Sequence, residues 1–322
     1  MRQNIEINIG KLCNNACVFC GNGTVPKAEK AWVPKGQVLK EIARAAAAGQ
    51  TSLGFLGGEV TVYPHAAEVI AAARDAGFTR IALCTNGRAL ARPGALDALV
   101  DAGATRVALS IHSHRAAVED ALCGRKGAFA QKLKAIDLCL AADAAGRLPD
   151  GFSLNACVHG RNVGELDAMA RFFHARGVRD LRVNSLRPEH DAVGDTALVP
   201  RFTDVVPELM RLVVLNERTL RMTVTFGDIP LCAWPAAFFG NAAVARRYIG
   251  ELRDLDTTVT VFRDRSAEGA PDRFKWKERR EGRLKARPAA CRRCAARGAC
   301  EGVWARYLEM YGDGEFHAIA PR

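Results

Sequence analysis

Apolar and polar positions follow two different periods along the first 186 residues. Six short runs have the two-residue period and β-branched content of strands, and they span residues 4–9, 52–56, 80–84, 106–111, 152–158 and 180–183. Alanine- and leucine-rich stretches with a helical period lie between them, at residues 36–48, 65–76, 93–101, 129–145 and 162–176. Strands that alternate with helices predict a parallel sheet, wound either as an open α/β sheet or as a barrel.

The pattern changes after Pro188. It predicts a helix at residues 204–216, a strand at 221–225, a helix near 235–248 and a strand at 257–262. We therefore expect two domains, which are a core at residues 1–190 and a smaller α+β domain at residues 191–322.

Composition and cysteine content bear on the cellular compartment of the protein. The 322 residues are 49% hydrophobic and 25% charged, which is typical of soluble globular proteins. No window approaches 18 uninterrupted apolar residues, and the N-terminus alternates like a strand, unlike a signal peptide. We expect a cytoplasmic protein that does not contact membranes. Because the cytoplasm is reducing, the eleven cysteines indicate metal binding or catalysis rather than disulfides.

Three cysteines follow the first predicted strand at the spacing Cys-x3-Cys-x2-Cys. Cys13, Cys17 and Cys20 fall in the loop where a β/α barrel places its chemistry. Three thiolates can hold three corners of a [4Fe-4S] cluster and leave the fourth iron open. A structural zinc site needs four ligands, and the nearest histidine, His65, lies far along the chain. The spacing therefore favours an iron–sulfur cluster with one open iron.

Motifs at four successive strand ends resemble those of the radical S-adenosylmethionine (radical SAM) superfamily, and the resemblance covers residues 1–186. The motifs are the cysteine loop with Phe19 just before its last cysteine, Gly57-Gly58-Glu59-Val60-Thr61, Thr85-Asn86-Gly87 and Ser110-Ile111-His112-Ser113. Valine stands at position 60, where the family has proline. The resemblance implies α/β architecture of the partial (β/α)6 TIM-barrel type, with a smaller C-terminal α+β domain.

The resemblance also implies the cofactors and their contacts. S-adenosylmethionine (SAM) would bind the open iron and be cleaved reductively to a 5′-deoxyadenosyl radical, which takes hydrogen from an sp3 carbon. Cys13, Cys17 and Cys20 would carry this chemistry by holding the cluster. The implied SAM-binding residues are Phe19, Gly57, Gly58, Glu59, Thr85, Asn86, Ser110 and Asn155. Family members place a basic residue after the fourth strand to meet the SAM carboxylate, and that stretch here reads Phe-Ala-Gln-Lys at residues 129–132.

A second set of cysteines lies near the C-terminus. Cys291, Cys294 and Cys300 have the spacing Cys-x2-Cys-x5-Cys, and Cys232 is a possible fourth ligand. The set resembles the auxiliary-cluster region of twitch or shortened SPASM domains, which implies one auxiliary [4Fe-4S] cluster. With Cys232 as a ligand this cluster would relay electrons, and without it an open iron could bind substrate. Four cysteines also suit structural zinc, so zinc stays an alternative.

The remaining cysteines and the charge distribution carry weaker signals. Cys84, Cys123, Cys139 and Cys157 fall within apolar patterns and are interpreted as small core residues. Residues 273–297 hold eleven Lys and Arg against two acids, which is +9 of the chain's net +11. This segment could contact nucleic acid, an anionic small molecule or an acidic electron donor such as flavodoxin or ferredoxin, or it could be a solvated loop.

We therefore expect a radical SAM enzyme that modifies a peptide or a small molecule in the biosynthesis of a peptide natural product, a sugar-derived metabolite or a cofactor. The chain begins almost at its first strand, so a peptide substrate would need a separate partner or direct capture. One alternative is a radical SAM enzyme that acts on RNA through the basic segment. Another is a non-catalytic iron–sulfur or zinc redox sensor that binds nucleic acid, although a sensor has no need of the SAM motifs.

Overall fold

One sheet of nine strands organises the computed structural model, which describes residues 3–21, 25, 30–189, 192, 194–262 and 270–321. Its strands are β1 Gln3–Asn8, β2 Ser52–Leu56, β3 Arg80–Thr85, β4 Arg106–Ser110, β5 Phe152–Val158, β6 Asp180–Ser185, β7 Thr223–Gly227, β8 Asp256–Val261 and β9 Asp272–Lys275. Their order across the sheet is β7-β6-β5-β4-β3-β2-β1-β8-β9. Neighbouring strands are parallel except β8 and β9, which are antiparallel. The α/β class and the partial-barrel type are confirmed.

Helices connect the strands and cover one face of the sheet. They are α1 Lys35–Ala47, α2 Ala66–Asp75, α3 Ala95–Ala102, α4 Ala116–Cys123, α5 Ala128–Ala144, α6 Leu166–Ala175, α7 Phe202–Leu215, α8 Ala242–Tyr248, α9 Trp276–Arg279 and α10 Ala305–Tyr311. A separate antiparallel ladder joins β10 Lys285–Ala286 to β11 Val303–Trp304. Among the described residues, we find no helix with the length and apolar character that crossing a bilayer requires.

The alternation within β1 explains the two faces of the sheet. Ile5, Ile7 and Ile9 are almost completely buried and belong to the core beneath the helices. Glu6 and Asn8 point to the opposite face, because successive side chains of a strand alternate. We call this opposite, polar side the inner face, and its residues at the carboxyl ends of the strands form the surroundings of the candidate site.

Two strands that were expected in the smaller C-terminal domain extend the core sheet instead. β7 pairs with β6 at one end of the parallel array, and β8 pairs with β1 at the other. An open barrel of six strands would leave the backbone groups of both edge strands unpaired, and these two additions pair them. The division of the chain at residue 190 therefore stays a prediction, while the sheet itself draws on both segments.

The pattern of apolar residues does not predict helix α4. The helix has only 8 residues, and the charged Glu119 is buried in its middle. Its stripe of apolar residues is therefore weak. This helix matters for the site because its C-terminal end contacts the cysteines that follow β1.

Candidate functional site

The first three cysteines lie in residues 9–21, the cysteine loop, at the carboxyl end of β1. Cys13 is exposed, and Cys17 and Cys20 are half-buried. The backbone N–H of Cys20 donates to the carbonyl of Cys17 at 3.1 Å, so the loop turns tightly between its last two cysteines. Cys17 and Cys20 are therefore held on one tight turn, with Cys13 earlier in the same loop, at the end of the sheet where parallel α/β proteins bind ligands.

The glycine pair after β2 holds this loop against the sheet. The N–H of Gly58 donates to the carbonyl of Gly10 at 2.7 Å, and the N–H of Glu59 donates to the carbonyl of Leu12 at 2.9 Å. A Cβ atom on Gly58 would lie 1.8 Å from the Leu12 carbonyl oxygen, which no side chain can do. Close approach of the cysteine loop thus explains the glycine, and a contact of Gly57 and Gly58 with SAM stays a prediction.

Glu59 joins the ends of two strands. Its side chain is 1% exposed, and Oε1 accepts hydrogen bonds from the backbone and hydroxyl of Thr61 at 3.0 and 2.6 Å and from the Thr85 hydroxyl at 2.5 Å. Its Oε2 accepts from the backbone N–H of Asn86 at 2.6 Å. The carboxylate therefore has protein donors on both oxygens and connects the loops after β2 and β3. A role as a partner of the SAM ammonium stays a prediction.

Amide groups are directed at the sulfurs of the cysteine loop. The side-chain amide of Asn86 lies 3.6 Å from Cys13 Sγ, and the backbone N–H of Asn15 lies 3.4 Å from it. The side-chain amide of Asn15 lies 3.7 Å from Cys17 Sγ. Donors of this kind stabilise the thiolate form that binds iron, so the residues present fit an iron–sulfur cluster.

The C-terminal end of α4 supports the loop on both sides of Cys17. The N–H of Ala16 donates to the carbonyl of Cys123 at 2.9 Å, and the N–H of Val18 donates to that of Leu122 at 3.0 Å. Gly124 ends the helix with φ +60°, and a Cβ there would lie 2.5 Å from the Ala16 carbonyl oxygen. The last carbonyls of a helix have no intrahelical partner, and the cysteine loop supplies partners here.

Lys132, the basic residue of the stretch 129–132, does not reach the surface. Its Nζ lies 2.6 Å from Glu119 Oε1, and both side chains are completely buried. Burial alone would lower the pKa of Lys132 and raise that of Glu119, but their mutual attraction raises the pKa of the lysine and lowers that of the carboxyl. The pair is therefore charged at neutral pH, and Lys132 has a partner other than a SAM carboxylate.

Two arginines that the sequence did not single out contact the cysteine loop. Arg88 Nη1 donates to the carbonyl of Asn14 at 2.6 Å and to the side chain of Asn15 at 2.9 Å, while its Nε donates to Gln131 at 2.7 Å. Arg125 Nε donates to the same Asn14 carbonyl at 3.1 Å. Their signal in the sequence is weak, since each is one basic residue in a polar turn, but together they place two positive charges beside the loop.

Three other predicted SAM contacts also lie near the carboxyl ends of the strands. Ser110 of β4 pairs with Asn155 of β5 in the sheet, and paired residues point to the same face. Asn155 Oδ1 accepts a hydrogen bond from the amide of Asn184 at 2.7 Å. The Phe19 ring meets the His112 ring edge-on, with centroids 4.9 Å apart. The contacts of these residues with ribose, methionine or adenine stay predictions.

The inner face beneath these residues is polar. Glu6 lies there, and burial and the nearby Asp254 carboxylate raise its pKa to about 7. Arg182 forms an ion pair with Asp254, with Nη1 and Oδ1 2.5 Å apart. Of the cysteines interpreted as core residues, Cys139 is confirmed because it is completely buried among apolar neighbours. The interpretation is wrong for Cys84, which is exposed because its side chain alternates with those of the buried Leu83 and Thr85 and so points to the inner face.

The four C-terminal cysteines share one neighbourhood. Cys232 lies in the 3-10 turn Leu231–Ala233 and is 9% exposed. Burial raises the pKa of its thiol, and the thiols of Cys300, Cys291 and Cys294 raise it further. Backbone amides are again directed at sulfur, from His317 to Cys232 and from Ile319 to Cys294, the latter at 3.4 Å.

This neighbourhood fits either iron–sulfur or zinc by its donor chemistry. Four thiols with amide donors satisfy the requirements of both groups. Across the parts of the chain that the structure describes, no three Cys, His, Asp or Glu side chains converge closely enough to hold a single metal ion. Ligation by Cys232, Cys291, Cys294 and Cys300 therefore stays a prediction, as does ligation by Cys13, Cys17 and Cys20.

Much of the basic segment is neutralised within the chain. At least five of its eleven basic side chains form ion pairs, and these are Arg273 with Glu41, Lys275 with Asp256, Arg279 with Asp272, and Arg280 and Lys285 with Glu301. The Arg280 and Lys285 pairs are buried. These paired charges are less available to a polyanion than their number suggests.

Comparisons with known proteins agree with the motifs. The chain is 29% identical over 220 residues to the PqqA peptide cyclase of Ruegeria pomeroyi, a match that covers 68% of this chain and 56% of that protein. It is 34% identical over 159 residues to GTP 3′,8-cyclase 2 of Mycobacterium tuberculosis, covering 46% and 40% of the two chains. The chain spans about half the length of the curated relatives it matches.

A solved structure and a family model complete the comparison. Streptococcus suis SuiB bound to precursor peptide SuiA superposes with a TM-score of 0.65 at 13% identity, covering 98% of this chain and 74% of that one, which shows the shared fold. The sequence model of the radical SAM superfamily matches residues 7–173, which contain the cysteine loop and the strand-end motifs. Since that match spans just over half of the chain, this protein belongs to the radical SAM superfamily.

Proposed function

We propose that this chain cleaves SAM reductively and uses the resulting radical to take a hydrogen atom from a carbon of a peptide. The observation that carries the proposal is the cysteine loop, which is docked on the glycine pair after β2 and has amide donors at the sulfurs of Cys13 and Cys17. Such a loop suits a [4Fe-4S] cluster with one open iron. When bound, that cluster passes one electron to SAM, whose C–S bond breaks to give methionine and the 5′-deoxyadenosyl radical.

The chain's own residues hold and orient these cofactors. Cys13, Cys17 and Cys20 each supply one thiolate. Asn86 keeps its hydrogen bond to Cys13, and its backbone holds the buried Glu59 carboxylate. Thr85 fixes the same carboxylate, so these residues act on SAM by setting the positions of the loops after β2 and β3. Phe19, Ser110 and Asn155 remain as the groups proposed to contact adenine and ribose.

A peptide is the substrate class with most support. Two of the similar proteins are a peptide cyclase by name and SuiB, whose crystal structure is bound to precursor peptide SuiA. The polar inner face, with Glu6 and the Arg182–Asp254 pair, offers hydrogen bonds to peptide groups. RNA has less support, because at least five basic residues of the 273–297 segment are already paired. Free thiols need a reducing compartment, so we place the reaction in the cytoplasm, with flavodoxin or ferredoxin as electron donor.

We further propose one auxiliary [4Fe-4S] cluster held by Cys232, Cys291, Cys294 and Cys300. The thiols of Cys300, Cys291 and Cys294 act electrostatically on Cys232, and the backbone N–H of Ile319 lies 3.4 Å from Cys294 Sγ, which supports a shared site with amide donors. With four protein ligands the cluster has no open iron and serves to relay electrons. Zinc at the same site is the competing hypothesis.

The central test is release of 5′-deoxyadenosine. Anaerobically reconstituted protein given dithionite and SAM is expected to release it even without substrate, because uncoupled cleavage needs only the N-terminal cluster. Cys17→Ala is expected to abolish release. Cys139→Ala is the matched control, since it removes a buried thiol away from both cysteine sets, and it should keep release. Persistent release from Cys17→Ala would refute the three-thiolate site.

The substrate class is tested by following hydrogen. A lysate from cells grown in deuterated medium is separated into a peptide fraction and a small-molecule fraction, and each is added to the enzyme. Deuterium is expected in the 5′-deoxyadenosine formed with the peptide fraction, and protease treatment of that fraction should remove the signal. Deuterium transfer only from the small-molecule fraction, or persistence after protease, contradicts a peptide substrate.

A further inference from the structure

A charged network lies directly behind Cys17 and has no place in the chemistry described above. The carbonyl groups of Cys123 and Leu122 accept hydrogen bonds from the N–H groups of Ala16 and Val18, on either side of Cys17, and the neighbouring Cys123 thiol raises the pKa of Cys17. Cys123 Sγ lies 3.2 Å from Lys132 Nζ and 3.2 Å from Glu119 Oε1. Cys123, Lys132 and Glu119 are all completely buried. The ammonium group is thus connected to the middle cysteine of the loop through a single intervening sulfur.

The carboxylate of this network also reaches the loop after β4. Glu119 Oε2 accepts hydrogen bonds from the backbone N–H groups of His112 and Ser113 at 2.8 and 2.9 Å. These two hydrogen bonds explain why a carboxylate is buried at position 119, because it holds the neighbouring loop in place. They do not account for Lys132, whose long side chain is buried among α4, α5 and the cysteine loop with its charge intact.

A buried ion pair needs a reason, because an apolar pair of similar size generally serves stability as well or better. Here the pair is adjacent to the thiol that is proposed to bind iron, and the field of a charge is strong where water is excluded. The ammonium and the carboxylate oxygen both lie 3.2 Å from Cys123 Sγ, and the ammonium acts electrostatically on the Cys17 thiol. Hydrogen bonds and charges near cluster sulfurs are known to set reduction potentials.

We propose that Lys132 and Glu119, acting through Cys123, are positioning residues that set the reduction potential of the cluster held by Cys17. The inference rests on the proposed function, because it assumes that Cys17 is a cluster ligand. Reduction adds one negative charge to a cluster. A positive charge behind Cys17 therefore favours the reduced form and raises the potential, and a negative charge lowers it. In the native chain the two charges oppose each other, and removing either one should reveal the other.

The experiment is a redox titration of the reconstituted protein followed by electron paramagnetic resonance, and the signal that changes when SAM is added identifies the N-terminal cluster. Glu119→Gln is expected to raise the potential, and Lys132→Met is expected to lower it at alkaline pH, where Glu119 stays ionised. Each shift should change the ratio of reduced to oxidised cluster about tenfold at a fixed ambient potential, about 59 mV for one electron. Lys132→Met/Glu119→Gln should return towards the native value.

Controls separate charge from folding. Glu41→Gln removes a buried carboxylate that is paired with Arg273 and Arg44 rather than with Lys132, and it should leave the potential unchanged. Lys132→Arg keeps the charge and should stay near the native potential. Iron per chain is measured for every variant. If Glu119→Gln loses its iron because the loop after β4 is released, the double variant shares that defect, and Lys132→Met compared with Lys132→Arg decides instead. A lower potential in Lys132→Met alone supports the role of the charge, and equal potentials overturn it.

Shifts of opposite sign in the two single variants support the proposal, since loss of structure alone would not reverse direction. Unchanged potentials in variants that retain iron, or shifts in the same direction, overturn it. Failure of the proposed function is a different result, because the native protein itself would then bind no SAM-responsive cluster and release no 5′-deoxyadenosine. A native protein that cleaves SAM, with variants at the native potential, refutes only the role of the network.

Discussion

The two cysteine sets differ in what holds them in place. The N-terminal loop is bonded to the glycine pair after β2, to the loop after β3 and to the end of α4, which are distant from it in sequence. In the C-terminal set, Cys232 and Cys291 lie on the 3-10 turns Leu231–Ala233 and Ala289–Arg293, and Cys294 and Cys300 follow the second turn, before the short strand β11. One site is built on the sheet, and the other is built from short turns.

This difference indicates which interactions order the residues of each site. Backbone hydrogen bonds to regular elements fix the N-terminal loop before any metal arrives. Short turns have few backbone partners of their own, so metal ligation would supply much of the free energy that orders them. We expect the N-terminal thiols to be preorganised by the fold and the C-terminal thiols to be organised by their metal.

The largest expected effect comes from breaking the contact between the sheet and the N-terminal loop. Gly58→Ala places a Cβ where the Leu12 carbonyl lies, so the loop must move away from β2. We expect loss of the N-terminal cluster, measured as a fall of about four irons per chain and loss of 5′-deoxyadenosine release. Gly36→Ala, where a Cβ meets nothing within 4 Å, is the matched control. A Gly58→Ala protein with full iron content would contradict preorganisation by the sheet.

The second prediction compares the two sets directly by removing each. Two cubanes require about eight irons per chain, and alanine at Cys13, Cys17 and Cys20 together, or at Cys291, Cys294 and Cys300 together, should leave about four in either case. Only the second variant is expected to become sensitive to limited proteolysis, with cuts confined to the C-terminal turns. About one zinc and four irons in the native protein would refute the auxiliary iron–sulfur cluster. Equal protease resistance of the two variants would contradict the proposed difference in order.

The sequence predicted the N-terminal site better than the C-terminal one, and the reason is local. The positions of β2 and β5 follow from apolar runs bounded by turn residues, and the predicted bounds of both strands are those observed. The strand-end motifs lie next to those strands, so their meeting at one edge of the sheet follows from parallel topology. Contacts between residues that are distant in sequence could not be predicted. Nothing in the neighbouring sequence indicates that Arg88 contacts Asn14 or that Lys132 is buried beside Cys123.

The edges of the sheet were harder to predict for the same reason. The strands at 221–225 and 257–262 were placed correctly to within two residues, but their pairing with β6 and β1 depends on which edge is open in the folded chain. Periodicity reports which face of a strand is apolar and does not report its neighbour. The place of Cys232 beside the other three cysteines rests on its strand-to-turn position and on the family resemblance, because spacing cannot relate cysteines that lie so far apart along the chain.

A third prediction concerns Cys232 and has a smaller expected effect. Its replacement by alanine should leave 5′-deoxyadenosine release intact, because uncoupled cleavage of SAM needs only the N-terminal cluster. The auxiliary cluster would gain an open iron and change its electron paramagnetic resonance spectrum, and product formation should fall by about 10- to 100-fold, in the range seen when groups that tune a metal site are lost. Retention of the native spectrum would remove Cys232 from the ligand set.

The smallest expected effect tests whether the N-terminal surroundings are ordered without metal. His112 is 6% exposed, its Nδ1 accepts a hydrogen bond from the Cys157 backbone at 3.1 Å, and burial lowers its pKa from 6.5 to about 4. Unfolded chains then bind a proton at a pH where the folded protein does not, so stability falls as the pH decreases from 6.5 through 4. His112→Asn offers an oxygen to the same N–H and does not titrate. In metal-free protein the variant should therefore lose about 2 kcal/mol less than the native chain between about pH 8 and about pH 5, measured by urea unfolding. Equal losses would mean that His112 is not buried in the metal-free protein, and that the surroundings of the N-terminal loop depend on metal as the C-terminal turns do.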